Sequence, residues 1–119
     1  NINDHRIWGA LELVAMADYV KGLPQELDAP LREDGLNLSG GQRARLDLAR
    51  TFLHDRPVIL QDEPLANVNP ESREIIMSAL DRVRVGRSCL VAKHQMEMIK
   101  RADQIIQLKN GRLLDSSYA

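Results

Sequence analysis

With 119 residues and 13.4 kDa, the chain makes at most one domain, able to bury roughly two-thirds of its unfolded surface. Lys and Arg number 16 against 17 Asp and Glu, for a net charge of −1, so there is no basic footprint for nucleic acid. No run reaches the ~18 apolar residues of a membrane span, no secretory signal is visible, and the single Cys89 excludes an internal disulfide and fits a reducing compartment. The first residue is asparagine, not methionine, and a piece of a longer protein is expected.

Ile7, Leu11, Val14 and Ala15 recur at helical spacing, with Trp8 beside them, and predict one helix over residues 4–20. Trp8 reads as core packing. Lys21-Gly22-Leu23-Pro24 ends that helix, with glycine past the last turn and proline beyond it. Residues 25–35 read as loop, punctuated by Pro30 and Gly35.

Leu36-Asn37-Leu38-Ser39-Gly40-Gly41-Gln42 then opens a second amphipathic helix that runs to His54. Ser39 is suited to cap it, and Ser39-x-x-Gln42 fits a capping box, in which serine and glutamine satisfy orphan amides reciprocally. Gly40 and Gly41 leave first-turn N–H groups uncovered at the positive end of the helix dipole, which suits an anion such as phosphate. A capped surface helix that binds nothing is the other reading of these residues alone. Leu46, Ala49, Phe52 and Leu53 mark its apolar face, and Arg43 and Asp47 are spaced to pair.

Val58-Ile59-Leu60-Gln61 after Pro57 reads as a buried parallel strand, and it ends in Asp62-Glu63-Pro64. Ligands gather at the carboxyl ends of such strands. Two adjacent carboxylates there are costly to desolvate without a cation or positive partner. Asn69-Pro70-Glu71 starts the next helix with a cap, a first-position proline and an acid in the first turn, and the helix runs to Arg84. Ser88-Cys89-Leu90-Val91-Ala92 is a second buried strand, followed by Lys93 and His94. A short helix over 95–102, a strand at 104–108 and an Asn110-Gly111 hairpin turn into Arg112-Leu113-Leu114 complete the chain.

LSGGQ, a helix, then VILQDE in that order resemble the signature and Walker B strand of the ATP-binding cassette (ABC) ATPases. The stretch from Ile7 to Gln42 resembles the helical subdomain of ABC exporters, most of all the multidrug-resistance-protein branch. The resemblance covers nearly all of the chain but only the C-terminal portion of a nucleotide-binding domain. It implies an α/β fold: part of the parallel-sheet core of a P-loop NTPase (RecA-like), at about 55–119, plus the α-helical subdomain with the signature helix, at about 1–54.

The same resemblance implies ATP hydrolysis driving transport of a substrate across a membrane. It assigns Leu38, Ser39, Gly40, Gly41, Gln42 and Asn69 to nucleotide contact, Asp62 to Mg²⁺, Glu63 to the general base and His94 to the switch histidine at the γ-phosphate. Glu33 falls in the loop that faces the membrane domains in exporters. A second nucleotide-binding domain, docked head to tail, and transmembrane domains are the implied partners, at the cytoplasmic face of a membrane. This segment itself is expected neither to insert into the membrane nor to bind nucleic acid.

The sequence departs from the family at two points. Asn69 stands where the family has the aspartate of its "SALD" loop, keeping the helix cap but losing the charge. No G-x-x-x-x-G-K-[ST] phosphate cradle occurs in the 119 residues, so these residues alone are expected not to turn over ATP. Two other readings stand beside the exporter. One is a soluble ABC-type ATPase of the chromosome-maintenance and DNA-repair class, which the lack of sustained heptads before LSGGQ disfavours. The other is a degenerate regulatory cassette, which Asn69 and the polar Gln61 keep open and which Glu63 and His94 oppose.

Overall fold

The computed structural model of the chain describes residues 2–32, 38–92 and 99–118. His94, Glu33 and most of the helix expected at 95–102 lie outside them.

The expected first helix is two. Helix α1 spans Asp4–Leu13, capped by Asn3, whose side chain accepts from the Arg6 amide at 2.9 Å, and α2 spans Ala17–Lys21. Between them Ala15 takes a left-handed φ of 55°. The Met16 amide donates back to the Leu11 carbonyl at 2.8 Å and the Ala15 amide to Glu12 at 3.1 Å. This is the Schellman C-terminal motif, with Leu11 and Met16 both buried as its hydrophobic partners. Glycine normally takes the left-handed position, and an alanine there costs about 1–2 kcal/mol. The Arg45 guanidinium reaches the corner, donating to the Ala15 carbonyl at 3.5 Å. A single 3₁₀ turn, Glu26–Asp28, interrupts the loop that follows.

Helix α3 spans Gly40–His54 and α4 spans Pro70–Val83. They pack on each other and, with α1, enclose the core: Ala10, Leu11, Val14 and Met16 from the first segment, Leu48 and Ala49 from α3, Ile76, Met77 and Leu80 from α4. Trp8 lies partly buried against this core, as expected, with the Lys21 ammonium over its ring. Asp47 pairs with Arg50 at 3.1 Å, one helical turn on, in place of the expected partner Arg43.

Strand β1 spans Val58–Asp62 and β2 spans Ser88–Ala92. They pair in parallel, Val58 opposite Ser88 through Asp62 opposite Ala92, with α4 as the crossover, a βαβ unit. The strands are less buried than their apolar runs suggest. Ile59 is buried, but Leu60 is 69% and Leu90 61% exposed on the sheet's other face. Strands β3, Gln104–Lys109, and β4, Arg112–Tyr118, form an antiparallel hairpin. Asn110 and Gly111 both have positive φ, as the type I′ turn requires. The register slips between Gln107 and Leu108, leaving Leu114 as the extra residue of a bulge.

Arg87 staples the end of α3 to the start of β2. It pairs with Asp55, donates to the Val83 carbonyl at 2.6 Å and lies over the Phe52 ring. Its hydrogen bond and charge hold the Asp55 carboxyl below the usual carboxylate range. Burial pushes the Cys89 thiol up, against the opposing charge of Arg84, so it behaves as a small apolar side chain.

Candidate functional site

The glycine turn is built as the sequence implies. Ser39 is in an extended conformation before α3; its Oγ accepts from the Gln42 amide at 3.1 Å, while its own amide donates to Gln42 Oε1 at 3.0 Å. Both halves of the capping box are present. Each capping side chain spends one acceptor and keeps its donors, the Ser39 hydroxyl proton and the Gln42 amide protons. The Gly40 and Gly41 amides also find no acceptor among the described residues. The first turn of α3 therefore offers donors at the positive end of a 15-residue helix. Leu38, buried just ahead of it, anchors the turn to the protein.

The carboxylates stand at the tip of β1, the carboxyl end of the parallel pair. Asp62 is exposed and Glu63 half-buried. Glu63 has a left-handed φ of 48°, and its amide donates to the Ala92 carbonyl at 2.7 Å, which ties it to the end of β2. A non-glycine residue held in that region costs of order 1–3 kcal/mol and persists only where neighbours over-determine it. The chain then turns, the Ala66 amide donating to the Glu63 carbonyl, and drops Leu65 and Val68 into the helical core. This loop is thus pinned in its middle by apolar burial.

Its far end returns to the glycine turn. Asn69 caps α4, Oδ1 accepting from the Ser72 amide at 2.8 Å. A methyl group built on Gly40 would lie 3.4 Å from the Asn67 carbonyl. One built on Gly41 would overlap Ser72 Oγ and lie 2.9 Å from its Cβ. The two helix N-termini meet here. Of the residues singled out in the sequence, Ser39–Gln42 and Asn69 are brought together, and Asp62 and Glu63 occupy the other end of the same loop. Sequence reasoning missed Ser72, a buried polar residue with no local signal beyond its place in the first turn of α4.

The model of the ABC transporter family matches residues 3–66, just over half of the chain. The chain belongs to the ABC transporter family. Among relatives, it is 40% identical over 106 residues to an ATP-dependent lipid A-core flippase of Photobacterium profundum, covering 89% of this chain and 18% of that protein. It is 34% identical over 116 residues to a multidrug resistance ABC transporter ATP-binding and permease protein of Lactococcus lactis, covering 98% and 20%. A solved bacterial Atm1-family ABC exporter with ATP bound superposes with a TM-score of 0.86 at 30% identity, covering 98% of this chain and 20% of that one. The chain thus spans about a fifth of the length of the family members it matches. The expected α/β fold, a part of the P-loop NTPase parallel sheet with packed helices, agrees with this likeness.

Asp62 can offer Mg²⁺ one carboxylate, and no cluster of three or more His, Cys, Asp or Glu suited to a metal occurs among the described residues. A single carboxylate fits an ion that keeps most of its waters and takes its other ligands from a substrate phosphate. No helix among the described residues is long and apolar enough to cross a membrane.

Proposed function

We propose that these residues form the C-terminal part of the ATP-binding and hydrolysing domain of an ABC exporter, whose turnover drives a substrate across a membrane. The observation that carries this reading is the donor-rich turn Ser39–Gln42 seated against the loop that begins at Asp62 and Glu63. An anion site and a carboxylate pair, linked by one pinned loop, suit phosphoryl transfer from ATP to water. Family membership and the ATP-bound exporter neighbour support it.

In this assignment residues 1–54 belong to the helical subdomain and 55–119 to the core. Ser39, Gly40, Gly41 and Gln42, with Leu38 behind them, close on the γ-phosphate of an ATP molecule held by a second nucleotide-binding domain docked head to tail. Asn69 lies at that junction. At the ATP held by its own domain, Glu63 takes the proton of the attacking water as general base, and His94 orients that water and steadies that γ-phosphate. Asp62 holds Mg²⁺ through water; when bound, the ion neutralises phosphate charge. Transmembrane domains are the further partners, which places the site at the cytoplasmic face of a membrane. The phosphate cradle is supplied from outside these 119 residues, which by themselves do not turn over ATP.

The test is Glu63→Gln in a longer polypeptide that includes a G-x-x-x-x-G-K-[ST] loop. Turnover is expected to fall about 10²- to 10⁴-fold, the usual weight of a general base, while an ATP-bound dimer accumulates. Unchanged turnover would remove Glu63 from the chemistry. A parent without any ATPase activity would leave the regulatory cassette as the better reading.

A further inference from the structure

We propose that Ser72 is the positioning residue that holds the glycine turn of α3 in register with the loop after β1, and that Gly41 lacks a side chain because Ser72 occupies its place. The proposal rests on the function assigned above, and it names a role for a residue outside the donor turn and the carboxylate pair.

Gly41 is buried, not open to a ligand on its Cα side. The space a methyl group would need is taken by Ser72 Oγ and Cβ, with Asn69 Oδ1 at 3.9 Å. Real Cβ atoms do not approach another heavy atom as closely as this pair would demand, so any side chain at 41 must push α3 and α4 apart. Ser72 cannot easily yield. It is 3% exposed, and its amide is fixed on Asn69 Oδ1. The next residue is held on both sides, the Arg73 amide donating to the Asn69 carbonyl at 3.0 Å and Arg73 Nε to Val68 at 3.1 Å. Leu65 and Val68 anchor the remainder of the loop in the core.

The consequence is mechanical. A displacement of the Ser39–Gly41 turn must carry Asn67, Asn69 and Ser72 with it, and through the pinned loop it bears on Glu63. Donor turn and base are therefore coupled through packed contacts. Gly40 differs: its methyl would meet only the Asn67 carbonyl at ordinary contact distance.

The experiment is a double-variant cycle in the longer polypeptide, with Gly41→Ala, Ser72→Gly and both together, read by the ATP dependence of turnover and by Tm. Gly41→Ala is expected to raise KM for ATP about tenfold or more, because a displaced turn engages the nucleotide less well. Ser72→Gly removes both obstructing atoms, so the double variant should return to within about threefold of Ser72→Gly alone. A double variant no better than Gly41→Ala would overturn the proposal, since the glycine would then serve the ligand directly. A lower kcat at unchanged KM, tracking Tm, would overturn the positioning role and leave a purely structural one. If the unaltered parent hydrolyses no ATP, the functional reading fails separately. The contact is then judged by Tm, which must fall in Gly41→Ala and recover in the double variant for the steric part to stand.

Discussion

Strands β1 and β2 are more apolar in sequence than helices α3 and α4, yet less buried in space. Leu48 of α3 and Leu65 of the loop are 3% and 0% exposed, whereas Leu60 of β1 and Leu90 of β2 are 69% and 61% exposed. The helices find partners inside the chain: α3 packs on both α1 and α4, and their apolar stripes face one another. A parallel pair needs cover on both faces, because its crossover helices pack on either side of the sheet. Among the described residues only the Ile59 side has it. A buried-strand pattern thus reports the surroundings a segment is suited to, and these can exceed the segment at hand.

The most direct way to break this contrast is to attack its buried side. Leu65→Ala removes a fully buried side chain from the point where the loop after β1 enters the helical core. Truncation of a leucine at such a site costs about 2–5 kcal/mol, according to how far the cavity collapses. Urea unfolding should show a lower midpoint with little change in slope. A loss below about 1 kcal/mol would mean that the loop is not pinned and could not couple Glu63 to the glycine turn.

A smaller effect separates the two roles of Asn69. As a cap its Oδ1 accepts from the Ser72 amide, and aspartate can do the same. Asn69→Ala should cost about 1 kcal/mol of stability. Asn69→Asp should instead match or exceed the native protein by about 0.3–1 kcal/mol at low salt, because the added charge lies at the positive end of α4. Thermal unfolding of the three proteins decides this. On that outcome asparagine has no advantage in stability over the aspartate of the family pattern, and a rise in ATP turnover for Asn69→Asp in the longer polypeptide would trace the substitution to chemistry at the cassette junction.

How much of this was legible depended on the range of the interaction. The Ser39–Gln42 box, the Asn69-Pro70 start and the Asn110-Gly111 turn are set by residues within a few positions of one another, and all three form as read. The break at Ala15 was hidden because its usual marker, a glycine in the left-handed position, is absent. Helical periodicity ran straight through it. Asp47 had arginines at both the previous and the following turn, and spacing alone could not choose Arg50 over Arg43. Within the candidate site, placement was legible from residue types: donors at a helix start, and carboxylates at a strand end. The Gly41–Ser72 contact was not, because nothing local to either residue announces the other. A glycine in a phosphate-like motif reads first as room for a ligand, and only the packing of α3 on α4 shows that the room is already filled.

The smallest effect tests the exposed side of the contrast. Leu60→Ser alters a side chain that projects from the open face of β1, so in the 119-residue chain it should change stability by no more than about 0.5 kcal/mol. The same substitution in a longer polypeptide with a layer of helices packed on this face should cost about 2–4 kcal/mol, since burying the leucine there is worth its transfer energy plus packing. Denaturant titration of both forms gives the difference. A small cost in each would mean that this face stays in water in the parent too. A large cost confined to the longer form would show that the apolar run Val58-Ile59-Leu60 was reporting a neighbour beyond the reach of these residues. The strand that carries Asp62 and Glu63 would then gain much of its rigidity from that neighbour, so the precision of the site would depend on a surface this chain leaves open.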